Sequence, residues 1–365
     1  MPLTVLNIAY PLASVGPDAV GGAEQILTQL DAALTRAGHR SLVIACEGSA
    51  TGGILLPTPA PPGSIDEGVF RQVCATHRRR IAEALSRWPV DLVHMHGIDF
   101  HTYLPPPGPP VLVTLHLPPD YYQSAILYLD RPDTHLHGVS RSQHEAFPSN
   151  AALLPPIENG VALPAVTMPV AKRRFAIALG RLCPEKGFHL ALDAARQADI
   201  PLLLAGAVFR YPEHLRYVEE EIRPRLDRAR RFIGPIGVER KHRLLTAAQC
   251  LLVPSLAAET SSLVAMEALA CGTPVVAFPS GALASIIEDG RTGFLVRDVQ
   301  EMAEAIEAAR FLDPEECRAA ARRRFSLARM TDRYLELYHT LAGRRTEATG
   351  RFHQAPGAAC VGSGA

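Results

Sequence analysis

Short apolar runs bounded by turn residues recur along this chain: VLNIAY, SLVIAC, DLVHMH, VLVTLH and THLHGVS all fall within the first 140 residues. Runs of that length without polar alternation predict strands buried on both faces of a parallel sheet. Between them lie stretches of helical period. In GAEQILTQLDAALTRAG, residues Ile26, Leu27, Leu30, Ala33 and Leu34 share one face and Gly38 supplies the stop. The segment from Ala151 to Lys172 is punctuated by proline and holds no sustained period, so it predicts a connector. Beyond it the pattern restarts with FAIALG, PLLLAG, RFIGPI, QCLLVP, TPVVAF and GFLV, which predict a second parallel sheet.

The expected fold is therefore α/β, with two Rossmann-like, doubly wound domains facing across a cleft. Residues 1–155 form the first, 156–172 the linker and 173–325 the second. A last helical stripe of Leu327, Met330, Tyr334, Leu337, Tyr338 and Leu341 predicts a helix over 326–343 that packs back on the N-terminal domain. The Gly-, Ala- and polar-rich residues 344–365 predict a disordered tail.

Composition narrows the class. Lys plus Arg and Asp plus Glu both total 37 in 365 residues, so no global field points to nucleic acid or an anionic surface, and an anion site must be local. Seven cysteines without C-x-x-C spacing suit reduced thiols and a cytoplasmic protein. The first residues read as a buried strand and its loop rather than a signal peptide, and no apolar run reaches spanning length. Peripheral membrane contact and the oligomeric state stay open.

Chemistry concentrates at strand ends. In PSLAAETSSLVAMEALACGTPVVAF, a buried strand leads into a loop with Glu259 and a helix with Glu267. Eight residues at helical rise span about 12 Å, comparable with the reach from sugar to ribose in a nucleotide-sugar. The helix start over Thr260, Ser261, Ser262 and Leu263 offers free N–H groups and a positive dipole end to diphosphate or sugar oxygens. An isolated Glu pair near a helix start is more often solvated, but Glu267 sits among Met266, Ala268 and Leu269, where a carboxylate needs a partner such as ribose hydroxyls.

In ALGRLCPEKG, a strand delivers Arg181 and Lys186 just before a helix, a spacing suited to clamping a diphosphate. GPDAVGGAEQ follows the first strand, and Gly21 and Gly22 let phosphate and acceptor approach the backbone closely. Histidines cluster at strand ends as His94, His96, His116, His135 and His137. The first two share a chelating spacing, but no Cys or carboxylate cluster accompanies them and no D-x-D triplet occurs, so no metal is expected. Ser140 and Asn159 suit a cap and a turn.

Together, G-R-x4-K-G after a strand, the Glu-x7-Glu pair, G-T-P-V-V-A and I-I-E-D-G-R-T-G-F-L-V resemble family 4 of the retaining glycosyltransferases. One departure is GALASIIEDG, with Ser285 where that family commonly has Glu. The resemblance implies a two-Rossmann GT-B glycosyltransferase, nucleotide-diphosphate sugar as donor and an unidentified acceptor. It also implies retention of anomeric configuration and no cofactor. Under it Glu259 contacts the donor sugar, Glu267 the ribose, Arg181 and Lys186 the diphosphate, and His116 lies beside the sugar. A non-catalytic nucleotide-sugar-binding protein and an epimerase or hydrolase on the same architecture are the rival readings.

Overall fold

The computed structural model describes residues 2–60, 66–148, 152–164 and 171–351. The N-terminal strands are β1 (Thr4–Ile8), β2 (Arg40–Cys46), β3 (Ile54–Thr58), β4 (Leu92–Met95), β5 (Val111–Leu115), β6 (Thr134–Gly138) and β7 (Leu153–Leu154). Those of the second sheet are β8 (Arg173–Leu179), β9 (Leu202–Ala205), β10 (Arg230–Phe232), β11 (Ala248–Val253), β12 (Val275–Ala277) and β13 (Gly293–Leu295). The helices are α1 (Gly22–Arg36), α2 (Glu67–Arg87), α3 (Arg141–Ala146), α4 (Phe188–Gln197), α5 (Pro212–Tyr217) and α6 (Val238–Ala247). They continue with α7 (Leu263–Ala270), α8 (Leu283–Ile286), α9 (Val299–Ala309), α10 (Pro314–Arg324) and α11 (Leu327–Arg351).

All pairings are parallel, in the orders β3-β2-β1-β4-β5-β6-β7 and β10-β9-β8-β11-β12-β13. In each sheet the strand order reverses at one point, between β1 and β4 and between β8 and β11, and ligands bind outside the strand ends at such a point. The predicted strands form. Two were missed: β3 is an edge strand carrying Pro57, and β7 is only two residues long. Proline demotes a strand in any pattern reading, and an edge tolerates it because one side of the strand needs no donor.

The chain crosses between domains twice, and the crossings hydrogen-bond each other. Val161 N–H donates to the Phe325 carbonyl (2.8 Å) and Leu327 N–H to the Val161 carbonyl (2.9 Å). Gly160 makes this possible, since a Cβ there would lie 2.6 Å from the Ser326 carbonyl oxygen. Residues 165–170 of the expected linker lie outside the described residues. Helix α11 then returns to the N-terminal domain with Met330, Tyr334, Tyr338 and Leu341 buried. It extends to Arg351, past the expected end at Gly343; the rest of the expected tail, 352–365, lies outside the described residues.

A buried polar chain fastens α11 to β4, β5 and β6. His137 Nδ1 faces the Gly138 carbonyl (2.9 Å), which can only accept, so Nδ1 carries the proton and Nε2 accepts from Thr114 Oγ1 (2.7 Å). Thr114 therefore accepts from His94 Nε2–H (2.8 Å), and His94 Nδ1 accepts from the Tyr338 hydroxyl (2.7 Å). Tyr334 donates a further bond to Thr114 (3.2 Å). Every imidazole in this relay is neutral, in keeping with burial, which lowers His94 well below its ordinary range and His137 to about 4.

The sign of the linkage follows. A histidine whose folded pKa is depressed contributes no pH dependence above its unfolded value near 6.5, and stability falls as pH drops from there towards the folded value. His137 by itself should remove about 2 kcal/mol at pH 5. The thermal unfolding midpoint is expected to fall between pH 7 and pH 5, and to fall less in His137→Leu; equal slopes in the two proteins would contradict the neutral relay.

Candidate active site

Strand β8 is followed by Gly180, whose carbonyl passes so close to Gly206 that a side chain on Gly206 would collide with it. The chain then exposes Arg181, with its guanidinium 5.4 Å from the Phe209 ring, and turns through Pro184–Lys186. Gly187 closes the turn at φ +62° and packs on Pro254 at the end of β11, leaving no room for a side chain. That packing brings Lys186 Nζ within 2.6 Å of Glu259 Oε1, which also accepts from the Ser255 hydroxyl. The Glu259 backbone is held in turn by Gly281, at φ +59°, and by an N–H bond from Ala282 (2.7 Å). Lys186 and Glu259 thus form one ion pair, whereas Arg181 stands apart over its aromatic ring.

Helix α7 begins at Leu263, so the helical rise assumed between the two glutamates covers only the second half of that interval. Thr260 Oγ1 instead reaches across the cleft to the His116 carbonyl (2.8 Å). The Ser261 hydroxyl is buried without a partner, and Ser262, the N-cap, makes no side-chain cap bond. Opposite stands α1, with Gly21 as its N-cap and Gly22 opening it; a Cβ on Gly22 would lie 3.6 Å from Leu263 Cδ1. Two helix N-termini, one from each domain, therefore meet at one point. Each presents unpaired N–H groups and the positive end of a dipole.

Glu267 has a partner that sequence reasoning missed. Lys241, on α6, places Nζ 2.6 Å from Glu267 Oε1, while Glu267 Oε2 is buried without a partner. The ion pair meets part of the burial cost assigned above to ribose, and the free oxygen remains for a hydroxyl donor. No local pattern could pair them, because they lie 26 positions apart and only the tertiary packing brings α6 against α7. A cavity of about 530 Å³ opens beside this pair, lined by Gly16, Asp18, Gln25 and Thr28 of one domain and Arg240, Lys241 and Glu267 of the other. That volume lies within the range of small-molecule sites.

The histidines do not chelate. His94 spends both nitrogens on Tyr338 and Thr114, and His96 Nδ1 meets His116 Nε2 at 3.0 Å. Burial lowers His116 to about 3, so its imidazole is neutral at ordinary pH. Ser140 is a plain cap, its hydroxyl accepting from Gln143 N–H (3.1 Å).

Family models match both halves of the chain. Residues 20–148 match the model described as Glycosyltransferase Family 4, and residues 173–309 that described as Glycosyl transferases group 1. The chain belongs to glycosyltransferase family 4. A D-inositol 3-phosphate glycosyltransferase of Corynebacterium urealyticum is 32% identical over 197 residues, covering 48% of this chain and 45% of that protein. The match thus spans less than half of the curated relative's length. Among solved structures, AviGT4, a glycosyltransferase involved in avilamycin A biosynthesis, is 27% identical with a TM-score of 0.69 over 94% of this chain and 99% of that one. Anabaena HepE in complex with UDP and glucose shares the fold at 19% identity, with a TM-score of 0.70 over 93% and 100% of the two chains. The two facing Rossmann-like domains of this family 4 member are a GT-B fold. No helix among the described residues is long and apolar enough to cross a membrane.

The Lys241–Glu267 pair makes its own prediction. Both side chains are at least 85% buried, and removing one partner of such a pair costs on the order of 3 kcal/mol because the other charge is stranded. Lys241→Met should lower the unfolding midpoint, and Lys241→Met with Glu267→Gln should recover most of the loss. Equal losses in the single and double variants would mean that the pair is not coupled.

Proposed function

We propose that this chain transfers a sugar from a nucleoside-diphosphate sugar to an acceptor hydroxyl with retention of configuration, with no metal ion in the transfer step, in the cytoplasm. The observation that carries the reading is the meeting of two helix N-termini, one of them entered through the loop that holds the Lys186–Glu259 ion pair. Such a point suits a diphosphate: free N–H groups, two dipoles and two cations neutralise oxygens that gain charge as the glycosidic bond breaks.

In this reading the donor ribose takes the free Glu267 Oε2, and the diphosphate draws Lys186 away from Glu259. Glu259 then accepts from hydroxyls of the transferred sugar. The anomeric carbon–phosphate oxygen bond breaks, the acceptor oxygen bonds the anomeric carbon from the same face, and the acceptor proton leaves on the departing phosphate oxygen. His116 serves as a neutral polar contact to the sugar and not as a general acid, because an imidazole with a pKa of about 3 is not protonated to imidazolium at neutral pH.

A thermal-shift panel of nucleoside diphosphates and their sugars, followed by product analysis, tests the reading. A donor that binds but gives neither transfer nor hydrolysis in the presence of polyols and lipid-linked acceptors would favour a binding protein. Arg181→Ala and Lys186→Ala should each lower turnover roughly 100- to 1000-fold with the fold intact. Near wild-type turnover in both would remove the diphosphate assignment. EDTA should leave the rate unchanged, and a rate that Mg²⁺ or Mn²⁺ restores after chelation would overturn the metal-free step.

The two glutamates should separate. Glu267→Gln is expected to weaken donor and free nucleoside diphosphate alike, whereas Glu259→Gln should lower kcat with nucleoside diphosphate affinity retained. Calorimetry with the sugar-free diphosphate distinguishes them, since only the ribose contact bears on its binding.

A further inference from the structure

The turn that carries Lys186 holds a second constellation that the transfer step does not use. Cys183, Glu185 and His214 bring a sulfur, a carboxylate oxygen and a ring nitrogen within 4.8 Å of one another. Cys183 comes from the end of the β8 loop and His214 from α5, so the group bridges two elements that otherwise touch only through packing. Cys183 is fully buried; its thiol donates weakly to the Arg181 carbonyl (3.5 Å) and also faces the Glu185 carboxylate. His214 is 95% buried, and its Nδ1 has no hydrogen-bond partner, an arrangement that leaves a donor or acceptor unsatisfied in the interior. Glu185 reaches solvent, which provides an entry path.

We propose that Cys183, Glu185 and His214 bind one zinc ion. One soft thiolate, one imidazole and one carboxylate form a donor set that zinc takes in tetrahedral sites, with water in the fourth position. Hard Mg²⁺ and Mn²⁺ are poorly matched to a thiolate, so this site stands apart from the cation question of the transfer step. On binding, Zn²⁺ replaces the thiol proton of Cys183, which is released to solvent; Glu185 enters as carboxylate and His214 as neutral imidazole. The ion's two positive charges then balance the thiolate and the carboxylate. Ligand atoms up to 4.8 Å apart must draw together slightly, since Zn–S and Zn–N bonds are about 2.3 and 2.0 Å long.

The consequence is mechanical. Zinc would staple the Pro184–Lys186 turn to α5, whose neighbouring Tyr211 and Phe209 rings pack on His214 and under Arg181. Both cations of the diphosphate site would then be anchored from one point.

The test uses the full chain, stripped of metal and kept reduced, titrated with Co²⁺ and Zn²⁺. We expect one equivalent of Co²⁺ to give a thiolate-to-cobalt charge-transfer band that Zn²⁺ abolishes, and Zn²⁺ to raise the unfolding midpoint. Cys183→Ser and His214→Gln should each weaken Zn²⁺ affinity at least ~10-fold, and Glu185→Gln by less. Circular dichroism establishes that the variants fold; if Cys183→Ser does not, the solvent-facing Glu185→Gln and the conservative His214→Gln carry the test. Unchanged affinity in the folded variants, a cobalt spectrum without a thiolate band, or no binding by the wild-type chain would each overturn the site.

Discussion

Everything in the cleft depends on the parallel clasp of the two chain crossings at Gly160–Val161 and Phe325–Leu327. Two separate domains linked by single strands of chain would leave their facing helix termini at an arbitrary distance. Here the crossings bond each other, and α11 continues from the second crossing straight onto the first domain, where the Tyr338–His94–Thr114–His137 relay fixes it. The relay is directional, since every hydrogen has one assigned acceptor, so a register shift of α11 by one residue would leave several buried groups unpaired. Polar groups thus specify where an otherwise apolar helix docks, and the docking fixes the width of the cleft.

With that width set, the charges of the site are arranged to be held before a ligand arrives. Lys186 with Glu259 and Lys241 with Glu267 are two ion pairs on neighbouring walls, each leaving something free: a second oxygen on Glu267, and uncapped N–H groups at α1 and α7. An anionic ligand entering such a place exchanges partners instead of meeting bare charge, which lowers the cost of keeping the empty site folded. In the proposed transfer the same exchange would set an order of events, with Glu259 released to a sugar once Lys186 turns to a phosphate.

Much of this was legible in the sequence, for reasons that differ by residue. Buried parallel strands announce themselves as apolar runs, and Glu259, Lys186 and Gly22 lie in or just after the loops that follow such runs, so strand ends located them. What stayed hidden was set by contacts between distant segments. Lys241 has no local mark that separates it from Arg240 or Arg243, and only the packing of α6 on α7 selects it. Cys183 has no local mark either, and only the placement of α5 brings His214 beside it. The chelating spacing of His94 and His96 suggested more than the fold allows, since on this strand Tyr338 and Thr114 already take both nitrogens of one ring.

The histidines also decide which charges are at work in the cleft. Five of them, His77, His94, His96, His116 and His137, are driven downward by burial, with His77 and His137 at about 4 and His116 at about 3. None is cationic near neutrality, although His96 and His116 follow the ends of β4 and β5, where a ligand would sit. Positive charge at the site therefore comes from Arg181, Lys186, Lys241 and the two helix ends. The neutral imidazoles can contribute directional hydrogen bonds to an oxyanion there without adding charge. His116 also ties the two domains together through its backbone, whose carbonyl accepts from the Thr260 hydroxyl across the cleft, while its ring meets His96.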